Sequence, residues 1–154
     1  MDVMLPSEQE TKDYETALLQ VKTSQENKIK ARTAGKKIEE EYNFKLNSMK
    51  ETHRQMFMLF TMDGCPACKV IKYLIRYNQD IKNALDPYEI MIINVTNVDC
   101  HLVKKMNVYS YPAYFMIDKD ENIIKKNYGC NALHDPVIPI VNWINMQVDN
   151  VVKS

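Results

Sequence analysis

The hydrophobic and polar positions of this 154-residue chain fall into two textures that meet near residue 53. Residues 7–53 hold no proline and one glycine, Gly35, and are dominated by Glu, Gln, Lys, Thr and Ala. Ser7 followed three residues later by Glu10 is a capping box, in which each side chain satisfies a backbone N–H of the other, so a long helix is predicted to start there. Apolar residues recur at Tyr14, Leu18 and Val21, then at Ile38, Tyr42, Leu46 and Met49, near the spacing of one helical face. The stretch between them, SQENKIKARTAGKK, is almost wholly polar. Two helices with a weak link near Gly35 and one solvated helix both satisfy this pattern, and neither buries a core unaided.

From residue 55 the pattern becomes α/β. QMFMLFTM is a continuous apolar run of buried-strand length that ends in Asp63-Gly64, just before Cys65. Apolar positions at Val70, Ile71, Leu74, Ile75, Ile81 and Leu85 predict one helix, stopped by Asp86-Pro87. EIMIINV predicts a second buried strand and HLVKKM a short helix. AYFMID and NIIKKNY flank Lys119-Asp120-Glu121 as an antiparallel hairpin. Pro136 and Pro139 open a last amphipathic helix with Val137, Ile140, Val141, Ile144 and Val148 on its apolar face. The order β-α-β-α-β-β-α, with right-handed crossovers between parallel strands, gives a small mixed sheet with helices on both faces. The expected division is a helical arm over residues 1–53 and an α/β domain over residues 54–154.

Charge narrows the partners. Lys+Arg and Asp+Glu both total 20, so no overall field draws the chain to nucleic acid or to an anionic membrane, and neither is expected as a partner. No apolar run approaches the ~20 residues that span a bilayer. The first residues, MDVMLPSEQETKDYE, carry acids where a signal peptide carries a basic and then an apolar region. A reducing compartment, the cytoplasm, is therefore expected. Four cysteines, at 65, 68, 100 and 130, are too few for a disulfide framework, so one closely spaced pair points to redox or metal chemistry.

Cys65-Pro66-Ala67-Cys68 sits where the first strand meets the first helix of the domain. There the unpaired N–H groups and the dipole of a helix N-terminus favour a thiolate over a thiol, and Pro66 suits the first turn. Cys65 is expected to be the attacking sulfur. Cys68, one turn on and shielded by the helix start, is expected to resolve the mixed disulfide. A zinc site is the competing reading, with Cys100, His101, Cys130 and His134 as further ligands.

Residues 55–152 resemble the thioredoxin/glutaredoxin superfamily. The order of elements agrees, FTMDGCPACK sits as the active-site segment does, NVYSYPAYFMID resembles the segment that carries the family's cis-proline, and Gly129 matches a family position. The resemblance implies a thioredoxin-like fold, a small mixed four-stranded sheet flanked by helices, here with an N-terminal helical extension. It implies thiol-disulfide exchange with protein dithiols and disulfides, without cofactor or metal. It also implies that Pro112 faces the cysteine pair, that the backbone of Tyr111 bonds an extended substrate chain, and that Gly64, Pro66 and Ala67 border the site. The motif counts against zinc, since it has a proline inside it, stands between strand and helix, and has the Pro112 segment at the family's distance. Cys100 and Cys130 are then small hydrophobes, and His53, His101 and His134 surface or structural residues. Tyr109, Tyr111 and Tyr114 are expected on sheet faces.

The chain also departs from the family. Thioredoxins carry Trp-Cys-Gly-Pro-Cys, whereas here proline follows the first cysteine directly, as in glutaredoxins. Leu59 stands where thioredoxins bury an aspartate, which leaves Asp63 or water as proton acceptor. No glutathione-binding set is recognisable. The alternative function is that of an assembly subunit, in a larger complex or a virus particle, docked through the arm. The Ile38–Met49 patch is expected to pack on the domain or run into its first strand, and the Tyr14–Val21 patch to be exposed and to bury against another copy or another protein.

Overall fold

The computed structural model describes residues 4–130 and 135–148. Helix α1 (Glu8–Thr52) runs unbroken for 45 residues, so the arm is one helix. The capping box forms: Ser7 Oγ accepts from the Glu10 N–H at 3.1 Å, and Glu10 Oε1 accepts from the Ser7 N–H at 3.3 Å. Gly35 is no weak link. It is buried, and a Cβ at this position would overlap the carbonyl oxygen of Asp99. The missing side chain lets α1 lie against the loop that follows the second strand, where the Asp99 N–H donates to the Ala31 carbonyl at 3.1 Å. The helix ends on His53 in a left-handed conformation (φ 59°), whose N–H donates to the Met49 carbonyl.

The α/β part comprises β1 (Met56–Thr61), α2 (Pro66–Tyr77), α3 (Gln79–Leu85), β2 (Glu89–Asn94), α4 (His101–Lys105), β3 (Ala113–Ile117), β4 (Ile123–Tyr128) and α5 (Val137–Asn145). Two details differ from expectation. The single helix predicted up to Asp86-Pro87 is two, divided at Asn78. The backbone of Asn78 is extended and closes α2 by donating to the Leu74 carbonyl, while its Oδ1 accepts from the Ile81 N–H at 3.1 Å and caps α3. Apolar periodicity hides the break because Ile71, Ile75, Ile81 and Leu85 still enter one cluster. Helix α5 stops at Asn145, so Val148 lies past its end.

The sheet order is β2-β1-β3-β4, with β1 parallel to β2 and antiparallel to β3, and β3 antiparallel to β4. Every residue of β1 is buried, and its alternating side chains supply two cores. Met56, Met58 and Phe60 meet Tyr42, Leu46 and Met49 of α1 and Leu102 of α4. Phe57 and Leu59 meet α2, α3 and α5 on the other face. The second apolar patch of the arm is therefore part of the domain core, with Ile38 packed at its margin. The Tyr42 hydroxyl also donates to Glu121 Oε1 at 2.9 Å. The first patch is exposed, Tyr14 at 65% and Val21 at 52%.

Candidate active site

Strand β1 carries the chain through the core to one end of the sheet, and Met62-Asp63-Gly64 turns it into α2. Gly64 takes φ 71°, a conformation that side chains rarely adopt. Cys65 is the N-cap of α2 in an extended conformation, and Pro66 occupies the first turn, where it leaves no N–H unpaired. Cys65 and Cys68 are joined as a disulfide with Cα atoms 5.2 Å apart. The Cys68 N–H points at Cys65 Sγ, 3.2 Å away, so one of the free donors of the helix N-terminus is spent on this sulfur. Exposure separates the two: Cys65 is half-buried, whereas Cys68 is 1% exposed. Pro66 is exposed and Ala67 half-buried beside them.

Three polar residues brace the turn. The Asp63 N–H donates to Thr96 Oγ1 at 2.7 Å, Asn94 Nδ2 donates to Asp63 Oδ1 at 2.8 Å, and the Thr96 N–H donates to Asn94 Oδ1 at 3.0 Å. No motif in the sequence singles out Asn94 and Thr96. Their signal, polar turn-formers after an apolar strand, marks a loop but not what the loop touches. Asp63 thus has a structural engagement beside its suggested part as proton acceptor. Leu59, where thioredoxins bury an aspartate, lies in the apolar core, and Thr61 is the one buried polar side chain among the described residues.

The Tyr111-Pro112 bond is cis and Pro112 is buried. The Pro112 carbonyl accepts from the Gly129 N–H at 2.8 Å, and the next residue, Ala113, pairs with Phe60 on one side and Tyr128 on the other. The start of β3, the end of β4 and the turn after β1 thereby share one end of the sheet. Tyr111 is half-buried against the α1-side core, and burial first, then the Cys100 thiol, pushes its phenol above the usual range. Tyr114 is buried, its ring edge-on to Trp143 at 4.7 Å, whereas Tyr109 is exposed and stacks on Tyr128 at 4.4 Å instead of covering the sheet.

Cys100 is buried at the start of α4, and Cys130 packs at the margin of the other core, where burial pushes its thiol up. Both sit as small apolar residues do. Among the described residues no three His, Cys, Asp or Glu side chains are grouped to hold a metal ion. His134, named in the zinc reading, lies outside the described residues.

The sequence family described as a thioredoxin-like domain matches residues 42–131, more than half of the chain. The chain belongs to the thioredoxin-like family. The match begins inside α1, at the first buried residue of the Tyr42–Met49 patch, so the family unit takes in the helix turns that close the core. Solved structures share this fold. The C-terminal domain of Neisseria meningitidis DsbD in its reduced form is 21% identical, with 74% of this chain and 95% of that one covered and a TM-score of 0.57. Thioredoxin O2 of Arabidopsis thaliana is 16% identical over 69% of this chain and 85% of its own, at a TM-score of 0.52. A thioredoxin from Thermus thermophilus is 14% identical over 67% and 80%, at 0.53. No curated protein matches the thioredoxin-like chain in sequence.

Proposed function

We propose that this chain is a thiol-disulfide oxidoreductase that exchanges disulfides with protein substrates through Cys65 and Cys68. One observation carries the reading: a half-exposed sulfur at a helix N-cap, aimed at by a backbone N–H, is linked to a second sulfur buried one turn on. In the reduced state the Cys65 thiolate attacks a substrate disulfide, forms a mixed disulfide and releases one substrate thiolate. Cys68 then attacks Cys65 Sγ, the mixed disulfide breaks, and the second substrate sulfur leaves. Two electrons pass from the dithiol to the substrate, and the reverse sequence oxidises a substrate dithiol. The first substrate thiolate released is itself a base, so it takes the Cys68 proton and no carboxylate is required where Leu59 stands. The backbone beside Tyr111 and Pro112 is the proposed seat of the substrate chain, with Gly64, Pro66 and Ala67 at its border.

We assign this chemistry to residues 54–154, whose core is closed by Tyr42, Leu46 and Met49 of the arm (residues 1–53), and an interaction role to the exposed turns of the arm before Ala31. The proposed location is the cytoplasm, or a virus particle assembled there, which suits a chain whose cysteines form one exchangeable pair. Among the described residues no helix is long and apolar enough to cross a membrane. The exposed patch at Tyr14, Leu18 and Val21 favours a second reading, an assembly subunit docked by its arm.

Trapping separates the roles. The Cys68→Ser variant, incubated with a disulfide-bonded protein such as insulin, is expected to accumulate a mixed disulfide through Cys65, and Cys65→Ser to accumulate far less. Equal trapping by the two variants would sink the assignment.

A further inference from the structure

The exposed half of α1 does not continue the stripe that packs on the domain. At 100° per residue, Tyr14, Leu18, Val21 and Ile29 fall within an arc of about 80°, rotated by roughly a quarter turn from the Ile38, Tyr42, Leu46 and Met49 face. All four are exposed, Ile29 at 62%, and no ion pair engages this half of the helix among the described residues. Its charges are sorted by position. Residues 8–15 carry four acids and one lysine, and residues 22–32 carry four bases and one glutamate.

An acidic tip, an apolar middle and a basic root complement themselves when a second copy is laid antiparallel. We propose that two copies of this chain pair in this way along residues 8–30, about a two-fold axis near residue 19. Independent features agree on that axis. Glu10 and Lys28 are 18 residues, or about five turns, apart and so stand in line on one flank of the apolar arc, with their midpoint at residue 19. Glu15 and Lys22 stand on the other flank, with their midpoint between residues 18 and 19. In an antiparallel pair like flanks face each other, so Glu10 meets Lys28 and Glu15 meets Lys22 of the second copy. Leu18 and Val21 cross at the same level.

The length of the arm fits as well. The tip of the second copy, residue 8, comes opposite residue 30, and the domain is hydrogen-bonded to α1 at Ala31, through the Asp99 N–H. The second helix therefore ends where the domain begins. Because the loop that holds Asp99 also braces the turn before Cys65, through Thr96, the overhanging arm rises from the sheet end that carries the cysteine pair. The pairing sets the two such ends facing each other across about 36 Å, from 24 residues at 1.5 Å each, an opening that admits a protein substrate.

Sedimentation equilibrium of the full chain under reducing conditions tests the interface without reference to redox activity. A concentration-dependent dimer is expected, abolished by Leu18→Asp, with circular dichroism reporting that the fold is kept. Glu15→Lys and Lys22→Glu are each expected to weaken it roughly fivefold to tenfold, since each reversal turns two symmetric attractions into repulsions. The double variant restores opposite charges and is expected to recover to within about twofold. Reversals without effect, or a double variant that does not recover, would overturn the antiparallel register. A chain that stays monomeric at ~100 µM would overturn the second copy as occupant and leave the face to a different protein.

Discussion

Two sulfurs three residues apart meet different surroundings because one caps a helix and the other lies inside it. Cys65 has backbone donors and solvent within reach, Cys68 has the core, and Cys130 has burial without a helix terminus. The nucleophilic species is the thiolate, so these surroundings rank reactivity. With the disulfide reduced, iodoacetamide at pH 7 is expected to modify Cys65 well before Cys130. Burial holds Cys130 as a thiol, which puts its rise in alkylation rate at higher pH than that of an ordinary cysteine. Mass spectrometry of timed samples reads both rates. Alkylation of Cys130 as early as that of Cys65 would remove the argument for a stabilised thiolate.

At the scale of elements, Gly35 separates what local pattern shows from what only contact shows. Helix propensity alone expects Gly35→Ala to stabilise α1 by up to ~1 kcal/mol. The Asp99 carbonyl occupies the place of the new Cβ, and backbone yields poorly. The expected outcome is a loss of about 1–3 kcal/mol, as for other overpacked contacts, seen as a lower urea midpoint. A gain in stability would mean that α1 does not lie on this loop. The same distinction explains how far the sequence could be read. Strands β1 to β4, the Ser7–Glu10 cap and the Cys65–Cys68 motif are set by neighbours within a few residues, so periodicity and spacing disclose them. Periodicity does not disclose the break at Asn78, because the two short helices keep one apolar face. The bracing of Asp63 by Asn94 and Thr96 joins residues 31 and 33 positions apart, and it exists only once β2 lies beside β1. The position of Pro112 at the cysteine end of the sheet likewise follows from the pairing of Phe60 with Ala113.

Considered as a whole, the molecule is a small α/β body from which a helix projects about 35 Å, the length of residues 8–30 at 1.5 Å per residue. A free helix of this length is marginal in water, but this one starts from a root already ordered by packing, so it avoids the unfavourable nucleation step. Protection from hydrogen exchange in the dilute monomer is therefore expected to fall steadily from Ala31 to the tip, while residues 38–49 exchange with the core. Raising the concentration into the dimer range is expected to protect residues 10–30 and leave the core unchanged. Removal of residues 1–30 takes away none of the residues of the candidate site and, among the described residues, no buried side chain. The shortened chain is expected to keep its unfolding free energy within about 0.5 kcal/mol and to trap substrate through Cys65 as the full chain does, while losing self-association. Uniformly slow exchange across residues 10–30 in a demonstrated monomer would show that the helix is satisfied within one chain, and the arm would then need no partner.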